Sequence, residues 1–99
     1  MAKCFLTNKA VEDLSQIWEY TFKEWSEKQA DKYYELLIIA CEEISRNPKV
    51  GKHYNEVATD ISGYLVQKHI IFYRVVKPNE IEVVRILHGS MDLKNRIDE

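Results

Sequence analysis

Two apolar segments in the last third of the chain flank a short polar turn. Residues 69–76 and 81–87 are rich in β-branched and aromatic side chains, and Lys77-Pro78-Asn79-Glu80 separates them. This pattern predicts a β-hairpin. Each segment is apolar on both faces except for one arginine. Both strands are therefore predicted to lie inside a sheet rather than at its edge.

Alternation of side chains predicts which residues of each strand share a face. On the first strand, one face is predicted to carry Ile70, Phe72, Arg74 and Val76, and the other Ile71, Tyr73 and Val75. On the second strand, one face is predicted to carry Ile81, Val83, Arg85 and Leu87, and the other Glu82, Val84, Ile86 and His88.

The first half of the chain has apolar residues at steps of three and four, which predicts two helices with one buried stripe each. The stripes are Val11, Leu14, Ile17, Trp18, Thr21, Phe22 and Trp25, and then Ala30, Tyr33, Tyr34, Leu37, Ile38, Cys41 and Ile44. Thr7 is predicted to cap the first helix, and residues 26–29 fit a capping box that starts the second. Asn47-Pro48 ends it, because proline disfavours a helical conformation in the preceding residue. The aromatic residues Trp18, Trp25, Tyr33 and Tyr34 are expected in the core.

The order of elements predicts the fold class. Residues 3–6 are a strand candidate, residues 49–62 are predicted as a connecting loop, and residues 63–68 as a further strand. The prediction is an α+β fold in which an N-terminal strand and a helical hairpin precede a three-stranded antiparallel meander packed under the helices. The spacing of the elements does not decide which other strand pairs with the N-terminal strand. Residues 1–99 are predicted to form a single domain.

Composition and charge narrow the class of protein. The chain is 45% hydrophobic and 30% charged, which is ordinary for a globular domain. It has no apolar run fit for a signal peptide or a membrane span, so a cytoplasmic location without membrane contact is expected. The net charge of -2 argues against direct DNA binding.

The chain has two cysteines. Cys4 and Cys41 are expected to be small buried hydrophobic residues rather than a disulfide or metal ligands.

Few residues are candidates for chemistry. The histidines at 53, 69 and 88 do not stand at metal-ligand spacing, so no metal or other cofactor is expected. In one interpretation His69, Arg74, Arg85 and His88 form a site for RNA cleavage, since imidazole titrates near neutrality and guanidinium stabilises developing negative charge. In the other they are polar strand positions, and each arginine pairs with a carboxylate such as Glu56, Asp60, Glu82 or Asp92. The pattern alone favours the second interpretation.

Six segments, in order along nearly the whole chain, resemble those of a known family. They are Leu6-Thr7 with Ala10 and Asp13-Leu14; Ile17-Trp18-Glu19-Tyr20-Thr21; Gln29-Ala30-Asp31-Lys32-Tyr33-Tyr34; Asn47-Pro48 with Gly51; Lys68-His69-Ile70-Ile71-Phe72-Tyr73-Arg74-Val75; and Val84-Arg85-Ile86-Leu87-His88-Gly89 with Met91-Asp92. The chain resembles the ParE toxins of the RelE/ParE superfamily, the toxin halves of bacterial type II toxin–antitoxin modules.

The resemblance implies a function, partners and sites. It implies a toxin that inhibits DNA gyrase, and so replication, without being an enzyme itself, and that is neutralised by a ParD-like antitoxin, a DNA-binding dimer. The gyrase-binding surface is then expected to comprise Lys68, His69, Arg74, Arg85, His88, Met91, Lys94 and Arg96. The antitoxin is expected to bind at Tyr20, Phe22, Tyr33 and Tyr34.

Two alternatives remain open. The RelE branch of the superfamily cleaves mRNA on the ribosome with basic and aromatic residues, and His69, Arg74, Arg85 and His88 would then be catalytic. Residues 89–92 are not a basic run and the last residues contain no tyrosine, which favours gyrase over the ribosome as target. ParE-like chains often carry arginine near Ser62 and at Ser90, and glycine near Gln67, so an inactive module that only binds the antitoxin is the third interpretation.

Overall fold

A five-stranded sheet carries two helices on one face in the computed structural model, which describes residues 2–54 and 58–89. The elements of these described residues are β1 (Lys3–Leu6), α1 (Asn8–Glu24), α2 (Glu27–Arg46), a 3-10 turn (Pro48–Val50), β2 (Lys52–His53), β3 (Ser62–Val66), β4 (His69–Lys77) and β5 (Glu80–His88). The strand order across the sheet is β1-β5-β4-β3-β2. The predicted α+β class and helical hairpin are confirmed.

The sheet confirms the meander and decides the pairing of the first strand. β3, β4 and β5 pair antiparallel in sequence order, and β4 and β5 are interior strands as predicted. β1 pairs parallel with β5, with Cys4 opposite Ile81 and Leu6 opposite Val83. The predicted loop 49–62 contains the short strand β2, and β3 ends at Val66 because residues 67–68 turn the chain. Gln67 has a φ of 53° there, a conformation that glycine adopts more readily.

Both predicted helix N-caps are present. The Thr7 hydroxyl accepts a hydrogen bond from the Ala10 amide at 3.1 Å, and it donates to the Val84 carbonyl at 2.9 Å. Thr7 therefore starts α1 and also ties this end of the helix to β5. The Ser26 hydroxyl accepts from the Gln29 amide at 3.1 Å and starts α2, and α2 ends at Arg46, just before Asn47-Pro48.

Apolar side chains cover both faces of the sheet. The main core lies between the helices and the sheet and contains Ala10, Leu14, Leu37, Ala40, Cys41, Ile44, Val66, Ile71, Tyr73, Ile81, Val83 and Ile86. A smaller cluster lies on the opposite face, where Tyr54, Ala58 and Val84 pack against Ile61, Ile70, Phe72 and Leu87. Burial on two faces is the reason that β4 and β5 are apolar almost throughout.

The two cysteines meet in the main core. Both are free thiols; Cys41 is buried as predicted, whereas Cys4 is only half-buried. A hydrogen bond between the two thiols, followed by burial, raises the pKa of Cys41, and the same hydrogen bond lowers the pKa of Cys4. Neither helix in the described part of the chain is long and apolar enough to cross a membrane.

The prediction of a buried aromatic stripe is wrong for two of its four residues. Trp25 is 75% exposed and Tyr34 is 41% exposed, whereas Trp18 and Tyr33 are half-buried. The buried positions of α1 are Ala10, Asp13 and Leu14, flanked by the half-buried Ile17 and Thr21. Trp18, Phe22 and Trp25 lie one helical position further round, about 100° away. The apolar surface of each helix is thus wider than the part that the sheet covers.

Tyr73 ties the end of α2 to the sheet. Its side chain is fully buried, and its hydroxyl donates to the Pro48 carbonyl at 2.6 Å and accepts from the Gly51 amide at 3.0 Å. A β-carbon at residue 51 would overlap this hydroxyl and lie 2.8 Å from the ring, so only glycine fits there without a shift.

Removing this hydroxyl leaves two backbone groups without a partner. Tyr73→Phe is therefore expected to lower the free energy of unfolding by about 2 kcal/mol in urea denaturation. Tyr64→Phe is the matched control on the neighbouring strand, since the Tyr64 hydroxyl makes no hydrogen bond to a described residue. Equal losses in the two variants would contradict the role assigned to Tyr73.

Candidate functional site

The predicted gyrase-binding residues do not form one cluster. Lys68, His69 and His88 lie together at one end of the sheet, whereas Arg74 and Arg85 are each held elsewhere by carboxylates. Met91, Lys94 and Arg96 lie outside the described residues. The described part of the predicted site is therefore best treated as three separate features.

The first feature is a group of two histidines, a tyrosine and a lysine, which we call the histidine cluster (Tyr33, Lys68, His69 and His88). His69 and His88 are opposite partners on β4 and β5, with ring centroids 5.4 Å apart and planes nearly perpendicular. The Tyr33 hydroxyl, from α2, lies 2.6 Å from His69 Nδ1 and 3.3 Å from the Val66 carbonyl oxygen. Lys68 joins the cluster through the turn, where its carbonyl accepts from the Gly89 amide at 2.9 Å.

The histidine cluster is poorly suited to proton transfer at neutral pH. Burial lowers the pKa of His69 to about 4, and electrostatic interactions with His88 and Lys68 add to the effect. Burial also raises the pKa of the Tyr33 phenol. General acid–base catalysis works best with a pKa near the working pH, so His69 is a neutral hydrogen-bonding group rather than a strong catalyst.

The second feature is Arg74, on the outer face of the sheet. Its Nε lies 3.4 Å from Asp60 Oδ2, and its Nη1 lies 3.8 Å from Glu82 Oε1. The predicted pairing of this arginine with a carboxylate is therefore confirmed, and both of its partners were among the four candidates. Arg74 is five residues along β4 from His69, which corresponds to about 17 Å in an extended strand.

The third feature is Arg85, which is nearly buried against α1. Its Nε donates to Asp13 Oδ2 at 2.8 Å and its Nη2 donates to Asp13 Oδ1 at 3.0 Å, and the two side chains are 11% and 9% exposed. A pairing with a carboxylate was predicted, but Asp13 was not among the candidates. Because Arg85 is turned towards the helix, it contributes to the fold rather than to an exposed binding surface.

A β-bulge lies in β5 beside Arg85. Phe72 pairs with Arg85 and Tyr73 pairs with Val83, so Val84 and Arg85 together oppose one residue of β4. The extra residue shifts the alternation of side chains in the rest of β5. The predicted faces are therefore wrong beyond Val84: Ile86 packs in the main core with Ile81 and Val83, and Leu87 packs on the opposite face.

The predicted antitoxin-binding residues also lie apart. Tyr20 and Phe22 are exposed on α1, Tyr34 is exposed on α2, and Tyr33 belongs to the histidine cluster. Further exposed apolar side chains were not predicted as binding residues: Trp25, Leu36, Ile39 and Leu65. The sequence contains a signal for this exposed surface, since six consecutive residues of α2 are apolar: Leu36-Leu37-Ile38-Ile39-Ala40-Cys41. A helix that is apolar on all sides is covered by more than one sheet.

Among residues 2–54 and 58–89, no group of three or more His, Cys, Asp or Glu side chains could hold a metal ion. The histidine cluster presents hydrogen-bonding groups and the Lys68 side chain, and the helices present exposed apolar side chains. They are suited to contact with another macromolecule.

The fold is similar to that of a solved structure described as the chromosomal ParDE TA system from P. aeruginosa. The TM-score is 0.75 at 19% sequence identity, and the match covers 89% of this chain and 96% of that chain. This likeness places the chain in a class of small α+β proteins.

Sequence comparisons identify the family. A family model described as the ParE toxin of type II toxin-antitoxin system, parDE, matches residues 5–93. Toxin ParE1 of Mycobacterium tuberculosis is 30% identical over 96 residues, covering 97% of this chain and 98% of that protein. Toxin ParE1 of Caulobacter vibrioides is 30% identical over 89 residues, covering 90% and 91%. The chain therefore belongs to the ParE toxin family, as the resemblance of its segments predicted.

The Asp13–Arg85 pair should be important for stability. Asp13→Asn keeps the shape of the side chain but leaves the Arg85 guanidinium nearly buried without its counter-charge, so the free energy of unfolding should fall by about 3 kcal/mol in urea denaturation. Replacing both residues together, as Asp13→Leu with Arg85→Met, should cost clearly less than the sum of the single changes. Strict additivity would contradict a direct interaction.

His69 should titrate far below an ordinary histidine. Its pKa of about 4 can be checked by NMR titration of the imidazole C–H resonances, and His88→Asn should raise it only in part because burial remains. His53→Asn, on β2, is the control and should leave it unchanged. Between pH 6.5 and 4, the unfolded chain binds a proton at His69 that the folded chain does not bind. The free energy of unfolding should therefore decrease as the pH falls through that window. Titration of His69 near 6.5 in the unaltered protein would contradict this.

Proposed function

We propose that this protein is the toxin of a type II toxin–antitoxin pair, that it inhibits DNA gyrase, and that a ParD-like antitoxin neutralises it. The match to the ParE family model over residues 5–93 is the observation that carries the proposal. The fold supports it through its likeness to a ParDE structure.

The state of the basic residues favours an inhibitor over a ribonuclease. Arg85 is nearly buried and bonded to Asp13, so it is not presented for a phosphate, and the charge of Arg74 is partly neutralised by Asp60 and Glu82. The lowered pKa of His69 makes it a weak general base near pH 7. Cleavage of mRNA on the ribosome therefore remains the runner-up, with His69 and His88 as its only closely placed candidates among the described residues.

The histidine cluster is the proposed contact with gyrase. Lys68 is exposed in the turn beside His69 and His88, and these three residues form the described part of the proposed surface. Met91, Lys94 and Arg96 are proposed to extend it. Arg74 and Arg85 are assigned to support of the fold instead, since each is held by carboxylates of this chain.

The antitoxin is proposed to cover exposed apolar side chains of the helices. Tyr20, Phe22 and Tyr34 are all exposed, and large exposed apolar patches usually mark protein interfaces. Tyr33 is less accessible because it is half-buried and bonded to His69.

The purified protein should stall gyrase on cleaved DNA in a supercoiling assay. Lys68→Glu should weaken the inhibition at least tenfold, because it reverses a charge at the proposed contact. Lys77→Glu is the matched control and should inhibit normally, since Lys77 is another exposed lysine, at the far end of β4.

Three outcomes separate the candidate functions. Intact gyrase activity together with mRNA cleavage in a translating extract would support the ribonuclease instead. Normal growth of bacteria that express the chain without an antitoxin would support an inactive binding module. Equal inhibition by the Lys68 and Lys77 variants would contradict the proposed contact surface, although not inhibition itself.

A further inference from the structure

The Tyr33 hydroxyl has one proton and two acceptors close to it. Its oxygen lies 2.6 Å from His69 Nδ1 and 3.3 Å from the Val66 carbonyl oxygen. Hydrogen bonds from a hydroxyl to oxygen measure about 2.5–3.0 Å, and those from an N–H group measure about 2.7–3.2 Å. The contact with Nδ1 is thus short for an N–H donor, and the contact with the carbonyl is long for an O–H donor. Both distances indicate that the hydroxyl donates to Nδ1.

This hydrogen bond determines which nitrogen of His69 carries the proton. Burial lowers the pKa of His69 to about 4, so the ring is neutral at pH 7 and has one N–H group. A neutral imidazole that accepts at one nitrogen donates at the other. The proton is therefore on Nε2. Within residues 2–54 and 58–89, no side chain or backbone group accepts from this Nε2–H group.

The His69 ring is held from two sides. The centroid of the Tyr33 ring lies 5.5 Å from its own, and that of the His88 ring lies 5.4 Å from it, with the two imidazole planes nearly perpendicular. Tyr33 packs against the main core from α2, so the helix fixes the position of its hydroxyl. His69 is half-buried, and the preceding residue, Lys68, is exposed. A group held in this way loses little conformational freedom when a partner binds it.

We propose that Tyr33 is a positioning residue, which fixes His69 as an Nε2–H donor so that the histidine cluster binds an acceptor oxygen of the target protein. Lys68 adds a positive charge beside this donor and favours a carboxylate as the acceptor, because a charged acceptor forms the stronger hydrogen bond. The cluster then acts by hydrogen bonding rather than by proton transfer. This assignment rests on the proposed gyrase contact and adds the chemistry of the group that is bound there.

Nitrogen NMR of the full-length protein tests the role of Tyr33 without any target. Two-bond correlations between the ring protons and nitrogens should show His69 protonated at Nε2 at pH 7. Tyr33→Phe should move the Nδ1 resonance towards that of an unbonded nitrogen. Tyr64→Phe is the matched control and should leave it in place, since the Tyr64 hydroxyl makes no hydrogen bond to a described residue. A proton on Nδ1 in the unaltered protein, or an unchanged resonance in Tyr33→Phe, would overturn the proposal.

Amide substitutions at residue 69 test the donor in gyrase inhibition. A glutamine amide can place an N–H group near the position of Nε2, whereas the shorter asparagine amide lies near Nδ1. His69→Asn should therefore weaken inhibition about tenfold, since the acceptor of the target loses its partner, and His69→Gln should retain it within about threefold. Circular dichroism should confirm that both variants fold.

The comparison of the two amide variants has a clear contrary result. Equal inhibition by His69→Asn and His69→Gln would overturn the assignment of an Nε2 donor to the target contact. Failure of the unaltered protein to inhibit gyrase would instead refute the proposed function, and the NMR experiment would still decide the role of Tyr33.

Discussion

The Asp13 carboxylate determines how the first helix sits on the sheet. It binds the Arg85 guanidinium through both oxygens and also accepts from the Ile86 amide at 3.0 Å. β1 covers β5 only as far as Val83, so the Ile86 amide lies on a stretch of β5 that no described strand protects on that side. The Asp13 carboxylate takes the place of a strand there and also neutralises a nearly buried arginine. The bulge beside Arg85 places Ile86 in the main core.

This arrangement changes the functional interpretation of the basic residues. Two arginines and two histidines on neighbouring strands suggest one polar site, because the pairing of the strands brings these residues into one part of the sheet. In the structure Arg85 is bonded to Asp13 of α1, and Arg74 is paired with Asp60 and Glu82. What remains together is the histidine pair. The candidate site is therefore smaller and less charged than the sequence suggests.

Local signals made most of the fold predictable. Thr7, Ser26 and Pro48 mark helix boundaries through backbone chemistry that needs no tertiary context, and the hairpin follows from two apolar segments around a turn. The parallel pairing of β1 and the choice of Asp13 as partner depend on contacts between residues more than 70 positions apart. Periodicity carries no information at that range. It also cannot state which part of a wide apolar helix surface the sheet covers, which is why Trp25 and Tyr34 were placed in the core.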